Sequence, residues 1–152
     1  MNFKRSVEEG YVRKVYPDRL KAKSLIKASE EAIATATRIK LESDSTKSIV
    51  GELYEGLRQY CEAIGYLYGY KFMSHEAITY FIEEVLGDKL DSLVFDRYRK
   101  LRNGINYYGN DVQPETVKEA LREIHDLINR LSKYLKLNEN QKNMKLRDIY
   151  QK

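Results

Sequence analysis

The amino-acid sequence predicts an all-α fold, an antiparallel up-and-down bundle of about five helices. Every long apolar segment repeats its hydrophobic residues three or four positions apart, which is the period of one helix face, and none shows the alternation of a half-buried strand. The 152 residues include two prolines and eight glycines, few enough for long uninterrupted helices. Short polar breaks separate the segments, and such connections place consecutive helices antiparallel.

A chain of this length suits one domain with one core, and the sequence divides into three parts. Residues 1–16 are mostly polar and aperiodic, so we expect an N-terminal arm with a short helical turn. Residues 17–137 carry the periodic segments of the helical bundle. Residues 138–152 hold few apolar side chains and are expected to form a C-terminal tail.

The first two predicted helices are the longest. Pro17 suits the first position of a helix, where its missing N–H costs nothing, and the apolar pattern continues to about Leu41. A polar break at 43–45 precedes the second helix, expected at 46–70. Tyrosines surround its apolar stripe, and a tyrosine either packs in a core with a wet hydroxyl or lines an interface or groove. Both alternatives stay open for Tyr54, Tyr66, Tyr68 and Tyr70.

The other three helices are expected at 75–86, 89–108 and 114–135. Ser74 can cap the first of them and Gly87 ends it. The apolar stripes of the whole set predict which side chains meet in the core. The predicted core residues are Leu57, Ile64, Phe81, Leu101, Ile105, Leu121 and Ile124.

The net charge of +4 is concentrated at the two ends of the chain. Residues 136–152 carry +3 and residues 1–16 carry +2, which leaves −1 for the body between them. Binding to nucleic acid needs several cations gathered on one surface. The ends could supply such a surface, although solubility is the simpler account of their basicity.

Cysteine and histidine are rare, which excludes several classes of site. The single Cys61 rules out an internal disulfide framework and a cysteine zinc cluster, and its apolar context predicts a packed thiol. His75 and His125 are too few for a histidine-rich metal site. The N-terminus lacks the apolar run of a secretory signal, and no segment approaches about 18 apolar residues. We therefore expect a cytoplasmic protein with no membrane span, no metal and no cofactor.

The stretch 96–109, DRYRKLRNGINYYG, combines an apolar stripe and a cationic edge on one helix that Gly109 closes. Its polar edge consists of Arg97, Arg99, Lys100, Arg102, Asn103 and Asn106. The apolar stripe of the same helix consists of Leu90, Leu93, Val94, Tyr98, Leu101, Ile105 and Tyr108. Such arginines either form a solvated face that suits the helix dipole, or they hold an anionic ligand.

General catalytic signatures are absent from the sequence. It contains no glycine-rich phosphate loop, no HExxH, no GxSxG and no CxxC. Adjacent carboxylates occur as Glu83–Glu84 and Glu30–Glu31, but neighbours on a helix point about 100° apart and make poor acid–base or metal pairs. Enzyme chemistry is therefore not indicated by these motifs.

Two segments resemble HEPN domains, the higher eukaryotes and prokaryotes nucleotide-binding family. They are 60–84, YCEAIGYLYGYKFMSHEAITYFIEE, and 97–109, RYRKLRNGINYYG. The resemblance covers the second to fifth predicted helices. It implies a four- or five-helix bundle that usually dimerises, and a role in prokaryotic toxin–antitoxin pairs, often beside a small nucleotidyltransferase.

Active members of the resembled family cut RNA without a metal, using an Arg, commonly an Asn after it, and a His after four to six residues. Here Arg102 and Asn103 match the first two, whereas Tyr107, Tyr108 and Gly109 stand where the His is expected. Histidine accepts a proton near neutral pH because its reference pKa is about 6.5, whereas that of tyrosine is about 10. Arg102 and Tyr107 also lie about 140° apart on an ideal helix.

We therefore predict a nucleotide- or RNA-phosphate-binding module, or a partner of a small nucleotidyltransferase, with doubtful catalysis. The alternatives are an active metal-independent endoribonuclease toxin and a purely structural helical dimer. A homodimer is expected, with the end of the fourth helix and tyrosines of the second helix along the groove between protomers. The candidate binding residues are Arg99, Arg102, Asn103, Asn106 and Tyr107, of which Arg102 and Tyr107 are the weak catalytic candidates.

Overall fold

Helix α3 (Thr46–Tyr68) lies at the centre of the fold, and the other elements pack around it. In the computed structural model the backbone is described for residues 1–150 and the side chains for residues 1–136. The other elements are α1 (Phe3–Glu8), β1 (Val12–Lys14), α2 (Arg19–Arg38), β2 (Tyr70–Phe72), α4 (His75–Tyr80), α5 (Lys89–Tyr108) and α6 (Pro114–Tyr150). Helix α4 continues into a π-helical turn (Phe81–Val85). The predicted all-α bundle is confirmed, and the predicted tail lies outside the side chains that are described.

The long helices pack in an up-and-down arrangement. The start of α2 contacts the end of α3 and the end of α2 contacts the start of α3, so the two helices are antiparallel. Helices α5 and α6 are also antiparallel, because ion pairs join Arg97 to Glu123 and Asp91 to Arg130. Short loops between consecutive helices favour this arrangement.

Capping explains several helix boundaries, with one correction to the predicted starts, although the side chain of Ser74 makes no capping hydrogen bond to α4. Helix α2 begins at Arg19 rather than Pro17, because the Asp18 side chain accepts a hydrogen bond from the Lys21 N–H at 2.9 Å and caps the helix. Gly109 ends α5 in the left-handed region at φ 63°, as predicted. Pro114 is the first residue of α6, again as predicted.

The N-terminal residues contribute one strand of a small two-stranded sheet that sequence periodicity did not predict. Strand β1 pairs with β2 in antiparallel register, with Val12 opposite Phe72. Three-residue strands are too short to show a period of two. Phe3 and Val12 are both buried, and the Phe3 N–H donates to the Glu84 carboxylate at 2.8 Å. Residues 1–16 are therefore packed against the bundle by a helix and a strand.

The predicted core is largely correct. Leu57, Ile64, Phe81, Ile105 and Ile124 are buried, and the other two predicted residues, Leu101 and Leu121, are half-buried against the same core. The thiol of Cys61 is packed, as expected from its apolar context.

The tyrosines of α3 and Tyr70 of β2 pack wholly or partly against the core of this chain. Tyr54 is 4% exposed, and the Tyr68 and Tyr70 rings pack against Phe81 with ring centroids 5.7 and 6.0 Å away. Core packing therefore accounts for Tyr54, whereas Tyr66, Tyr68 and Tyr70 are half-buried and the dimer groove stays a prediction.

The apolar stripe predicted for α5 is wrong at three positions. Leu90, Leu93 and Tyr108 are 75%, 53% and 81% exposed, although Tyr98 and Ile105 of the same stripe are buried. Helical spacing identifies residues on neighbouring faces but does not say how wide a face the neighbouring helices cover. The outward side of α5 therefore carries exposed apolar side chains.

Candidate functional site

Two residues of the polar edge of α5, Arg99 and Arg102, lie on the side that faces α3, and the candidate site is there. Asp88 caps α5 by accepting from the Asp91 N–H at 3.2 Å, and the helix continues without a break through Gly104 to Tyr108. Because α5 runs antiparallel to α3, Arg102 lies near the beginning of α3 and Arg99 lies further along it.

The guanidinium of Arg102 lies over Gly51 of α3. A Cβ atom added to Gly51 would be 3.2 Å from the Arg102 Cζ, so the absence of a side chain there makes room for the guanidinium. Arg102 is half-buried and makes no hydrogen bond or ion pair with any residue whose side chain is described. It therefore presents an unpaired cation that lies directly over a helix backbone.

An open groove of about 480 Å³ surrounds the Arg102 guanidinium. Its walls come from the end of α2, the first half of α3 and α5, and its lining residues are Thr35, Ile39, Lys47, Ser48, Gly51, Glu52, Glu55 and Arg102. Lys47 is partly engaged, since its Nζ lies 3.6 Å from the Asp111 carboxylate and donates to the Gly109 carbonyl at 3.3 Å. Two cations and two carboxylates thus face this groove, and Arg102 is the cation without an internal partner.

Arg99, one turn before Arg102, is engaged in an ion-pair cluster. Its guanidinium contacts the Asp96 carboxylate at 2.8 Å, and the same carboxylate accepts from Lys100 at 3.0 Å and from the Thr79 hydroxyl at 3.1 Å. Burial alone would raise the pKa of Asp96, but hydrogen bonds from Lys100 and Arg99 outweigh it and hold that pKa below its usual value. Among the predicted binding residues, Arg99 is thus already neutralised inside the chain.

A second ion-pair cluster lies next to Arg99, on α3. Arg58 bridges the carboxylates of Glu55 and Glu62, three residues before and four residues after it. Burial raises the pKa of Glu62, and the charge of Arg58 opposes that rise. The two carboxylates outnumber the one cation of this cluster, which therefore leaves no cation available for a ligand.

His75 stands at the start of α4 beside these clusters. Its Nδ1 lies 3.2 Å from the Tyr54 hydroxyl, a contact across 21 residues that local spacing in the sequence does not reveal. His75 is exposed at the surface, and partial desolvation and then the nearby charge of Arg58 lower its pKa, which favours the neutral imidazole.

The remaining predicted site residues lie outside the groove. Asn103 is half-buried, whereas Asn106 and Tyr107 are exposed, Tyr107 to 78%. Since α5 stays helical through Gly104, Arg102 and Tyr107 remain about 140° apart around the helix axis. One chain therefore does not bring Tyr107 beside Arg102.

The described residues offer neither a metal site nor a helix that could span a membrane. Among the residues that the structure describes, no group of three or more His, Cys, Asp or Glu side chains could hold a metal ion. Within that part of the chain, no helix is both long enough and apolar enough to cross a membrane. Comparison with protein-family models and with curated proteins finds no match to this chain.

Proposed function

We propose that this chain is a HEPN-like helical bundle that binds a phosphate-bearing ligand, a nucleotide or RNA, in the groove that the end of α2, the first half of α3 and Arg102 of α5 form. The observation that carries the proposal is the Arg102 guanidinium, which is half-buried over Gly51 and has no partner among the described side chains. A planar guanidinium matches the geometry of phosphate and keeps its charge across the physiological pH range. The resemblance of residues 60–84 and 97–109 to HEPN domains points to the same ligand class.

The charges of the groove favour a ligand with few phosphates. Glu52 and Glu55 face it together with Lys47 and Arg102, so a triphosphate would meet two carboxylates and one unpaired cation. A phosphodiester brings one negative charge to Arg102 and a nucleoside monophosphate about two, which is fewer than a triphosphate brings. The ribose hydroxyls of such a ligand can then donate hydrogen bonds to the carboxylates, as nucleotide ribose does at acidic residues in other folds.

The test is titration of the protein with AMP and with a short single-stranded RNA, using adenosine as the ligand that lacks phosphate. We expect AMP and RNA to bind and adenosine to bind much more weakly, with an affinity for RNA that falls as salt rises. Arg102→Ala should weaken the binding of both phosphate-bearing ligands. Arg97→Ala is the matched control, because Arg97 is an exposed arginine of the same helix paired with Glu123. Binding that is indifferent to Arg102 would remove the proposal.

Metal-independent RNA cleavage is the second candidate function, and the position of His75 is the observation that favours it. A neutral imidazole can act as a general base, and Arg99 lies close enough to His75 to influence its charge. We nevertheless expect little cleavage, because Arg99 is neutralised by Asp96 and Tyr107 lies outside the groove. Incubation of the RNA with the protein in excess chelator separates binding from cleavage. Strong cutting that both His75→Ala and Arg102→Ala abolish would establish a nuclease instead.

We also propose a homodimer that forms through the outward side of α5. Leu90 and Leu93 are exposed together at its start and Tyr108 at its end, and neighbouring exposed apolar side chains can mark a protein interface. Light scattering should report a dimer at micromolar protein and a monomer for Leu93→Glu. A purely structural dimer would show the same masses but no phosphate binding. A nucleotidyltransferase partner, a toxin–antitoxin role and a cytoplasmic location stay predictions.

A further inference from the structure

A long groove runs between α2 and α6 on the opposite side of α3 from Arg99. Two consecutive hollows form it, of about 600 and about 500 Å³. Both are bounded by α2 on one side and α6 on the other, with Tyr60 or Leu67 of α3 below. Residues 19–38 of α2 border the whole length, which corresponds to about 28 Å at the helical rise of about 1.5 Å per residue.

The floor of this α2–α6 groove is apolar and is bordered by small side chains. Ile26 and Ile33 of α2 and Ile128 and Leu135 of α6 are half-buried along it. The small residues on its α2 side are Ala22, Ser29 and Ala34. Small residues let a helix backbone approach closely, and a half-buried aliphatic floor gives apolar side chains a surface on which to pack.

The rim of the groove carries more positive than negative charge. Lys23 and Arg38 lie at opposite ends of α2, and Lys136 lies on the α6 side. These three cations make no ion pair with any side chain that the structure describes, and Glu30 is the carboxylate that lines the same groove. Apolar floor and cationic rim together complement a helix with one apolar face and acidic flanks.

We propose that the α2–α6 groove docks an acidic amphipathic helix of a protein partner. Helix-in-groove recognition uses apolar anchors at intervals of three and four residues, and about 28 Å of groove accommodates about 19 residues of such a helix. A second copy of this chain fits less well, because the exposed apolar side of α5 carries Arg97 and Lys100 and would bring cations to a cationic rim. The site is independent of Arg102 and of the proposed phosphate binding.

The test uses a fluorescently labelled synthetic peptide of about 20 residues, with leucine at helical three–four spacing and glutamate on the flanks. Fluorescence anisotropy with the full chain should show saturable binding that weakens as salt rises. A scrambled peptide of identical composition should bind at least about tenfold more weakly, because it lacks a continuous apolar face. A peptide with lysine in place of glutamate should bind no better than the scrambled one.

Protein variants locate the binding. The double variant Lys23→Glu/Arg38→Glu should weaken peptide binding at least about tenfold, since it reverses both ends of the rim. Its matched control, Lys4→Glu/Lys71→Glu, changes the net charge equally on exposed positions of α1 and β2 and should bind like the unmodified chain. Ala34→Phe, at an exposed position of α2, fills the groove without a change of charge and should also weaken binding.

Three outcomes would overturn this assignment. The scrambled peptide could bind as tightly as the amphipathic one, which would indicate attraction of charge alone. Both groove variants could bind the peptide normally while their circular dichroism shows intact folding. Alternatively, the peptide could fail to bind while Ala34→Phe converts a dimer to a monomer in light scattering, which would assign the groove to a second copy.

Discussion

The face between α3 and α5 has two ends that use the same residue types in opposite ways. At the paired end, Arg99 is neutralised by Asp96, and Arg58 by Glu55 and Glu62. At the open end, Arg102 lies over Gly51 with no internal partner among the described side chains. The two ends therefore differ in whether each arginine has an acid within reach.

The reason for this difference is visible in the helical spacing. Asp96 precedes Arg99 by three residues, and Glu55 and Glu62 flank Arg58 at three and four, which are the distances at which side chains meet on a helix. The corresponding neighbours of Arg102 are Tyr98, Arg99, Ile105 and Asn106, none of which is acidic. Arg102 lacks an acid one turn away and, unlike Arg97 with Glu123 of α6, it also forms no ion pair with a described side chain of another helix.

The largest effect expected from this comparison is on stability at the paired end. Phe95 lies on the buried side of α5, fully buried, with its ring centroid 6.0 Å from that of Tyr54. Phe95→Ala should lower the free energy of unfolding by about 3–5 kcal/mol, because it leaves a cavity in a packed core. Tyr107→Ala, on the exposed side of α5 near its end, should change it by less than about 0.5 kcal/mol. Urea unfolding of both variants measures the contrast, and equal losses would mean that the two positions are packed alike.

An intermediate effect is expected at Asp96. The substitution Asp96→Asn removes the charged acceptor for Arg99 and Lys100, and it should lower the free energy of unfolding at pH 7 by about 1–3 kcal/mol. An isosteric amide preserves packing, so the loss reports the ion pairs. Urea unfolding at fixed ionic strength measures it, and an unchanged midpoint would show that the cluster contributes little.

The pH dependence of this loss follows from the direction of the Asp96 pKa shift. That pKa is lowered in the folded chain, so the stabilisation is complete above the unfolded pKa, about 3.9, and is lost as pH falls through the lower folded value. The difference between the unmodified chain and Asp96→Asn should therefore shrink on going from about pH 5 to about pH 3. A difference that stays constant over this range would contradict the assignment of the effect to the carboxylate.

Most of the fold was predictable from the sequence because its long helices have clear periods. The helices, Gly109 at the end of α5 and core residues such as Ile64 and Ile124 were predicted from local pattern alone. The sheet was not, since β1 and β2 are three residues each and pair residues as distant in sequence as Val12 and Phe72. The exposure of Leu90 was also missed, because it depends on which neighbours cover α5.

The candidate site was predictable only in part, since it depends on contacts between distant segments. The sequence placed Arg102 on the polar edge of α5. Its contact with Gly51 joins two helices, and no local sequence pattern indicates such a contact. Tyr107 lies on a different side of the unbroken helix from Arg102, as its spacing already indicated. The hydrogen bond of His75 with Tyr54 likewise becomes visible only once α4 is packed on α3.

The smallest expected stability change, and the sharpest separation of the two ends, comes from Gly51→Ala. A Cβ at Gly51 would lie 3.2 Å from the Arg102 Cζ, closer than an ordinary contact, so the guanidinium must move. No described side chain holds it in place, so the movement costs little, and alanine in a helix interior gains about 0.5–1 kcal/mol over glycine. We expect the free energy of unfolding to stay constant or rise by up to about 1 kcal/mol, while affinity for AMP falls severalfold.

Gly65→Ala in the same helix is the matched control, because its Cβ would lie 2.4 Å from the Phe72 ring and should destabilise the core. Urea unfolding and AMP titration of both variants decide: if Gly51→Ala loses stability as Gly65→Ala does, or binds AMP unchanged, Arg102 is a packed side chain rather than a ligand-binding one.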